Sequence, residues 1–145
     1  MKIGHVGLNV TRLETSLPFY RNLFGLELIR ESSEKGKRYA FLGRNGDVTV
    51  TLWEQSQTEF STTHAGLHHL AFEVESAEDV KTMQIKLKEM AVTMIYPGVT
   101  SHEAGADSGG LFFLDPDGIR LEIYAAADMA GHDQHHNEGP ACGFF

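Results

Sequence analysis

The sequence predicts an α+β protein built from two βαβββ modules. Two observations carry that prediction: a six-residue pattern that occurs twice, and the same order of helix and strand signals after each copy. His5-Val6-Gly7-Leu8-Asn9-Val10 returns 64 residues later as His69-Leu70-Ala71-Phe72-Glu73-Val74. In both, apolar residues alternate with a His, a small residue and a polar residue, the period of a strand with two unlike faces. Val6, Leu8 and Val10 are assigned to a core, as are Leu70, Phe72 and Val74. His5, Gly7 and Asn9, and correspondingly His69, Ala71 and Glu73, are assigned to the opposite face.

Each strand leads into a helix. Glu14 to Phe24 carries Leu17, Tyr20 and Phe24 at helical spacing, and Gly25 suits a left-handed C-terminal cap. Pro18 is tolerable if it lies in the first turn, where its missing N–H costs nothing. The second helix opens at Ser76 with Asp79 three residues on, a start resembling a capping box. Val80, Met83, Leu87 and Met90 then share one face.

Three strand-like segments follow in each half: Leu26 to Glu31, Arg38 to Leu42 and Val48 to Glu54, then Thr93 to Tyr96, Leu111 to Leu114 and Ile119 to Tyr124. The last two of each set are joined by turn chemistry, Gly43-Arg44-Asn45-Gly46-Asp47 and Asp115-Pro116-Asp117-Gly118. Module 1 is thus expected over about residues 1–60 and module 2 over about 66–127. Gln55 to Leu67 links them, and residues 128–145 form a tail outside the repeat. The modules are read as halves of a single domain, 1–127, because a four-stranded sheet with one helix leaves its other face uncovered.

Composition bounds the function. Twelve basic and 20 acidic residues give a net charge of −8, a field that repels phosphate backbones and argues against nucleic acid and anionic membrane as partners. Apolar runs are short, so the chain reads as soluble and cytoplasmic. Cys142 is the one cysteine, which excludes an intrachain disulfide and leaves His and carboxylate as the metal donors available.

Donors of that type fall on one face. His5 and His69 occupy equivalent positions of the repeat, and the last strand of module 2 offers Arg120, Glu122 and Tyr124 between inward-facing Leu121 and Ile123. Two imidazoles and a carboxylate suit Fe, Mn, Ni, Co or Zn and leave coordination positions open. In module 1 the position matching Glu122 is Thr51, or Thr49 if the register slides by two, and neither is a ligand type. Glu54 shares parity with Leu52 and reaches that face only through a bulge.

The competing reading is that such strand residues are packed or solvated. Trp53 can stack on a planar substrate or simply pack. Asn9 and Glu73 flank the small residues Gly7 and Ala71, with Glu73 a candidate base or a solvated charge. Thr100 to Gly110 reads as a Gly-rich connecting loop, with a lid and a general acid-base His102 as the sharper alternative.

These residues resemble the vicinal oxygen chelate superfamily, which holds glyoxalase I, extradiol dioxygenases, fosfomycin-resistance transferases and bleomycin-binding proteins. The likeness covers about residues 3–126. It rests on the two repeat strands, on Ser16-Leu-Pro-Phe-Tyr-Arg-Asn-Leu-Phe-Gly-Leu-Glu-Leu28, on Gly66-Leu-His-His-Leu70 and on Phe113-Leu-Asp-Pro-Asp-Gly-Ile-Arg-Leu-Glu-Ile-Tyr124.

The resemblance implies a cupped eight-stranded sheet around one divalent metal. It carries the ligand roles onto His5, His69 and Glu122, with His68 on the helix-facing side. The implied chemistry is chelation of two neighbouring substrate oxygens with oxyanion stabilisation, lyase, isomerase or dioxygenase-like, assisted by Arg120 or Tyr124. A homodimer is also implied. The alternative is a metal-free small-molecule binder of the bleomycin-binding type.

Departures from the subfamilies narrow the choice. Thr51 stands where glyoxalase I uses a second carboxylate, and Phe112 where extradiol dioxygenases use Tyr. No Lys or Arg follows Tyr124 to meet a phosphonate. The tail carries His132, His135 and His136, a tract able to bind metal, and a Phe144-Phe145 pair expected to dock on the body or a partner subunit, while Cys142 has no basic neighbour in sequence to activate its thiol.

Overall fold

The computed structural model describes residues 1–102, 106–127 and 129. The expectations placed on the tail histidines, Cys142 and the terminal phenylalanines lie outside these residues. The chain groups into two compact units. The first is residues 1–61 with 116–118, and the second is 62–115 with the chain from Ile119 on.

In unit 1, β1 (Val6–Val10), α1 (Leu13–Phe24), β2 (Glu27–Ser32), β3 (Tyr39–Arg44) and β4 (Asp47–Glu54) build a sheet of order β1-β4-β3-β2. β1 runs parallel to β4, and the other pairs are antiparallel. Alternation does what it predicts: Leu8, Val10, Leu42, Val50 and Leu52 are buried together with Tyr20, Leu23 and Phe24 of α1. The β3–β4 turn tightens to two residues, with Arg44 opposite Asp47 and Asn45 and Gly46 both at positive φ. That is the turn whose twist matches the flanking strands.

The N-terminus of α1 is held by distant carboxylates in place of a side-chain N-cap. Arg12 occupies that cap position without a side-chain bond, and the amide of Leu13 donates to Glu54 Oε2 at 2.7 Å. Arg38 fixes the other Glu54 oxygen at 3.0 Å and reaches Glu14 at 2.6 Å. Asp117, buried in unit 1, accepts from the Thr11 amide at 3.1 Å, from the Thr11 hydroxyl and from the Ser16 hydroxyl at 3.3 Å.

Negative charge at this end also suits the helix dipole. Gly25 closes the helix at φ 62°, and Arg44 donates to the Phe24 carbonyl at 2.7 Å. Pro18 lies in the second turn and not the first, because α1 starts at Leu13. It is exposed there, so the carbonyl it deprives of a partner can be met by water.

Unit 2 repeats the plan with β5 (Leu70–Glu73), α2 (Ala77–Glu89), β6 (Thr100–Ser101), β7 (Gly109–Leu114) and β8 (Arg120–Ala125), in the order β5-β8-β7-β6. Ser76 caps α2 as predicted, accepting from the Asp79 amide at 3.2 Å and donating to the Asp79 carboxylate at 2.7 Å. Val80 and Leu87 are fully buried against a core that includes Leu111, Phe113, Leu121 and Ile123.

Two segments differ from expectation. Thr93 to Tyr96 forms no strand: a single bridge joins Met94 to Phe113, and Pro97 and Gly98 follow at once, removing a donor and adding freedom where pairing would continue. Thr100 to Gly110 is not a plain loop, because its ends pair as β6 and β7, Thr100 opposite Gly110 and Ser101 opposite Gly109. Gly109 permits this approach, since a Cβ there would stand 2.9 Å from the Thr100 carbonyl oxygen. Among the described residues, no helix is long and apolar enough to cross a membrane.

Two substitutions test this account of α1. Asp117→Ala strands three donors and should lower unfolding stability by about 2–3 kcal/mol, whereas Gly25→Ala should cost about 1 kcal/mol for a left-handed alanine. Denaturant titration reads both, and an Asp117→Ala protein as stable as its parent would contradict the capping role.

Candidate metal centre

Parallel pairing sets which side chains share a face. In unit 1, Gly7 stands opposite Thr51 and Leu8 opposite Leu52; in unit 2, Ala71 stands opposite Glu122 and Phe72 opposite Ile123. Thr51 is therefore the register equivalent of Glu122, and the alternative, Thr49, is set aside. Thr51 is buried, and its hydroxyl accepts from Trp53 Nε1 at 3.0 Å. Trp53 packs on Tyr39 and Phe41, with ring centroids 5.2 and 5.7 Å away. Its packing role is thus the one the geometry supports. Glu54 is occupied with α1 and Arg38, which agrees with its parity.

Unit 2 assembles the donors around Glu122, which is 4% exposed although it is a carboxylate on a strand. Oε2 lies 3.4 Å from His69 Nε2, and Oε1 lies 2.6 Å from His102 Nε2. Burial holds the His69 imidazole below its ordinary value against the opposite pull of Glu122, with His68, Arg120 and His102 adding positive charge that favours the neutral ring. A neutral imidazole is the form that binds a metal. His5 sits in unit 1, exposed and one residue ahead of β1, as the repeat predicts for the counterpart of His69.

The remaining candidates take defined places. Arg120 Nη1 lies 3.4 Å from His68 Nε2, and His68 Nδ1 lies 2.9 Å from His69 Nδ1. This corrects the helix-facing assignment of His68, which is exposed and turned toward Arg120; it precedes β5, so strand alternation does not govern it. The Tyr124 hydroxyl donates to Glu73 Oε2 at 3.3 Å. Burial, then the Glu73 carboxylate, pushes that phenol up, so it stays protonated at neutral pH. Asn9 is used structurally, accepting from the Gln55 amide at 3.1 Å. Phe112 stands opposite Glu122 in the β7–β8 register and presents a buried apolar ring there.

The His69–Glu122 pair has the chemistry and spacing of two ligands on one divalent ion. Two donors each ~2.1 Å from one ion in a tetrahedral arrangement stand ~3.4 Å apart, which is the separation of His69 Nε2 and Glu122 Oε2. Among the described residues, no three His, Cys, Asp or Glu groups form a complete cage. Sequence reasoning undervalued His102, for which the available signal was the Gly109-Gly110 pair that lets β6 close on β7.

A sequence model described as the Glyoxalase/Bleomycin resistance protein/Dioxygenase superfamily matches residues 2–123. A trivalent organoarsenical cleaving enzyme of Bacillus sp. (strain MD1) is 30% identical over 142 residues, covering 98% of this chain and 83% of that protein. Metallothiol transferase FosB of Bacillus licheniformis is 26% identical over 142 residues, covering 98% and 86%. Among solved structures, a glyoxylase/bleomycin resistance protein/dioxygenase domain from Frankia sp. EAN1pec aligns with a TM-score of 0.74 at 23% identity, covering 86% of this chain and 97% of that one. That likeness bears on the fold, and it agrees with two four-stranded mixed sheets each carrying one helix.

Trp53 is the chain's single tryptophan and reports on the Thr51 contact. Thr51→Val should shift its emission and cost about 1 kcal/mol for the lost hydrogen bond; an unchanged spectrum would contradict the contact.

Proposed function

Because the chain belongs to the Glyoxalase/Bleomycin resistance protein/Dioxygenase superfamily, we propose that it is a metal-dependent enzyme chelating a small oxygen-rich molecule through two neighbouring oxygens. His5, His69 and Glu122 are the proposed ligands. The observation that carries this reading is the buried Glu122 carboxylate with the His69 imidazole 3.4 Å from its Oε2. A deeply buried carboxylate is costly unless compensated, and a divalent cation compensates it more fully than two imidazoles do. The position of His5 in the repeat supports it as the third donor, and a manganese-dependent 2,3-dihydroxybiphenyl 1,2-dioxygenase among the relatives supports the cofactor.

With three protein ligands, coordination positions stay open for substrate. A bound divalent ion supplies Lewis acidity, polarising a chelated oxygen and stabilising the negative charge that develops on it, worth several kcal/mol. The chain's own residues orient and protonate. Arg120, on the face of Glu122, is placed to anchor an anionic substrate group. Tyr124, kept protonated and held by Glu73, offers a hydroxyl proton beside the same strand.

Thr51 supports three protein donors in place of four, which disfavours a glyoxalase I type of centre. Phe112 removes the acid expected for ring cleavage of the extradiol kind. The reading is therefore chelation with oxyanion stabilisation, and a homodimer is part of it.

Elemental analysis of protein prepared without chelator should find about one Fe, Mn, Ni, Co or Zn per site, as one mononuclear centre requires, and a His69→Ala, Glu122→Ala double variant should lose it. Protein that carries no metal and takes none up would overturn the enzyme reading in favour of a metal-free binder. Mixing His5→Ala with Glu122→Ala chains adds a further test. Ligands shared between chains predict recovery of intact sites, while unrecovered metal binding would assign each site to one chain.

A further inference from the structure

The β6–β7 hairpin holds a second polar group on Glu122 that the ligand set does not use. His102 follows β6 directly, and its amide donates to the Ser108 carbonyl at 3.2 Å, closing the hairpin throat. The ring is gripped at both nitrogens: Nδ1 lies 2.9 Å from Ser108 Oγ and Nε2 lies 2.6 Å from Glu122 Oε1. Tyr124 and Phe112 flank it, with centroids 5.6 and 6.3 Å away. A carboxylate only accepts, so the hydrogen of this bond sits on His102 Nε2. With that hydrogen in place, Nε2 cannot also bind a metal.

We propose that His102, braced by Ser108, is a positioning residue that holds Glu122 by one oxygen and presents the other, Oε2, as a single-oxygen ligand toward His69. This rests on the metal-centre reading above. The two carboxylate oxygens have different work: Oε1 is tied to a ring fixed on the hairpin, while Oε2 faces the His69 imidazole 3.4 Å away. Without His102, Glu122 is free to rotate out of the orientation that aims Oε2 at the site. Partners that orient a ligand in this manner commonly change metal affinity by about 10–100-fold.

The test compares parent protein with His102→Ala, His102→Gln and Ser108→Ala. Co(II) affinity is measured by competition with a chromophoric chelator, together with the visible Co(II) spectrum and thermal unfolding of the metal-free proteins. His102→Ala should weaken binding by about 10–100-fold. His102→Gln, whose amide N–H can still donate, should recover most of the loss. Ser108→Ala should fall between parent and His102→Ala.

An affinity for His102→Ala within two-fold of parent would overturn the proposal while leaving the metal centre intact. So would a Co(II) spectrum showing loss of a nitrogen ligand in that variant, which would make His102 a ligand instead. Folded parent protein that binds no Co(II) would overturn the metal centre and this proposal together. If His102→Ala does not fold, Ser108→Ala decides: weaker binding is expected, and an unchanged affinity overturns the role.

Discussion

Parallel pairing of the first and last strand of each unit is the constraint on which the site depends. Once Gly7 is opposite Thr51 and Ala71 opposite Glu122, every second residue along those strands is committed to one face. A slip of one residue would move Glu122 into the apolar layer now filled by Leu121 and Ile123, where its charge would have no partner. The register is strongly specified because the opposite face is dry: Leu52, Leu121 and Ile123 have no exposed surface at all. Core burial, in other words, aims the polar face.

Three largely buried carboxylates show how partners decide a role. Glu54 and Asp117 are saturated by amides, hydroxyls or a guanidinium, donors that belong to the architecture of α1. Releasing either to bind a ligand would unpick the start of a helix. Glu122 meets imidazoles instead, one neutral and directed at Oε2, the other braced by a serine on Oε1. These are groups that can yield to a cation or direct one. The carboxylate of the proposed centre therefore comes from unit 2, while the corresponding strand of unit 1 ends in a Thr51–Trp53 hydrogen bond and a packed aromatic cluster.

Much of this was legible in the chain because it depends on local periodicity. The repeat, the Ser76 cap and the Gly25 stop all follow from alternation, helical spacing or turn chemistry, while alternation left Thr51 and Thr49 both open as the counterpart of Glu122 until the strand register chose Thr51. What escaped depends on distant contacts. Glu54 caps α1 from 41 residues away and Asp117 ties Thr11 and Ser16 across the helix start from 101 or more residues away, and no window around Arg12 shows either. His102 could not be placed until β6 was seen to pair with β7, because a Gly-rich stretch reads as a loop whether or not its ends meet. The misassigned strand at Thr93 to Tyr96 shows the reverse problem, a β-prone segment cut short by Pro97 and Gly98.

The central claim is that the two copies of the repeat supply the two imidazoles of one centre. X-ray absorption at the metal edge of Co(II)-loaded protein tests it most directly, with parent, His5→Ala and His69→Ala proteins compared. The account predicts two imidazoles and oxygen donors in the parent and one imidazole fewer in each variant that retains metal. A parent spectrum with a single imidazole that His5→Ala leaves unchanged would contradict it.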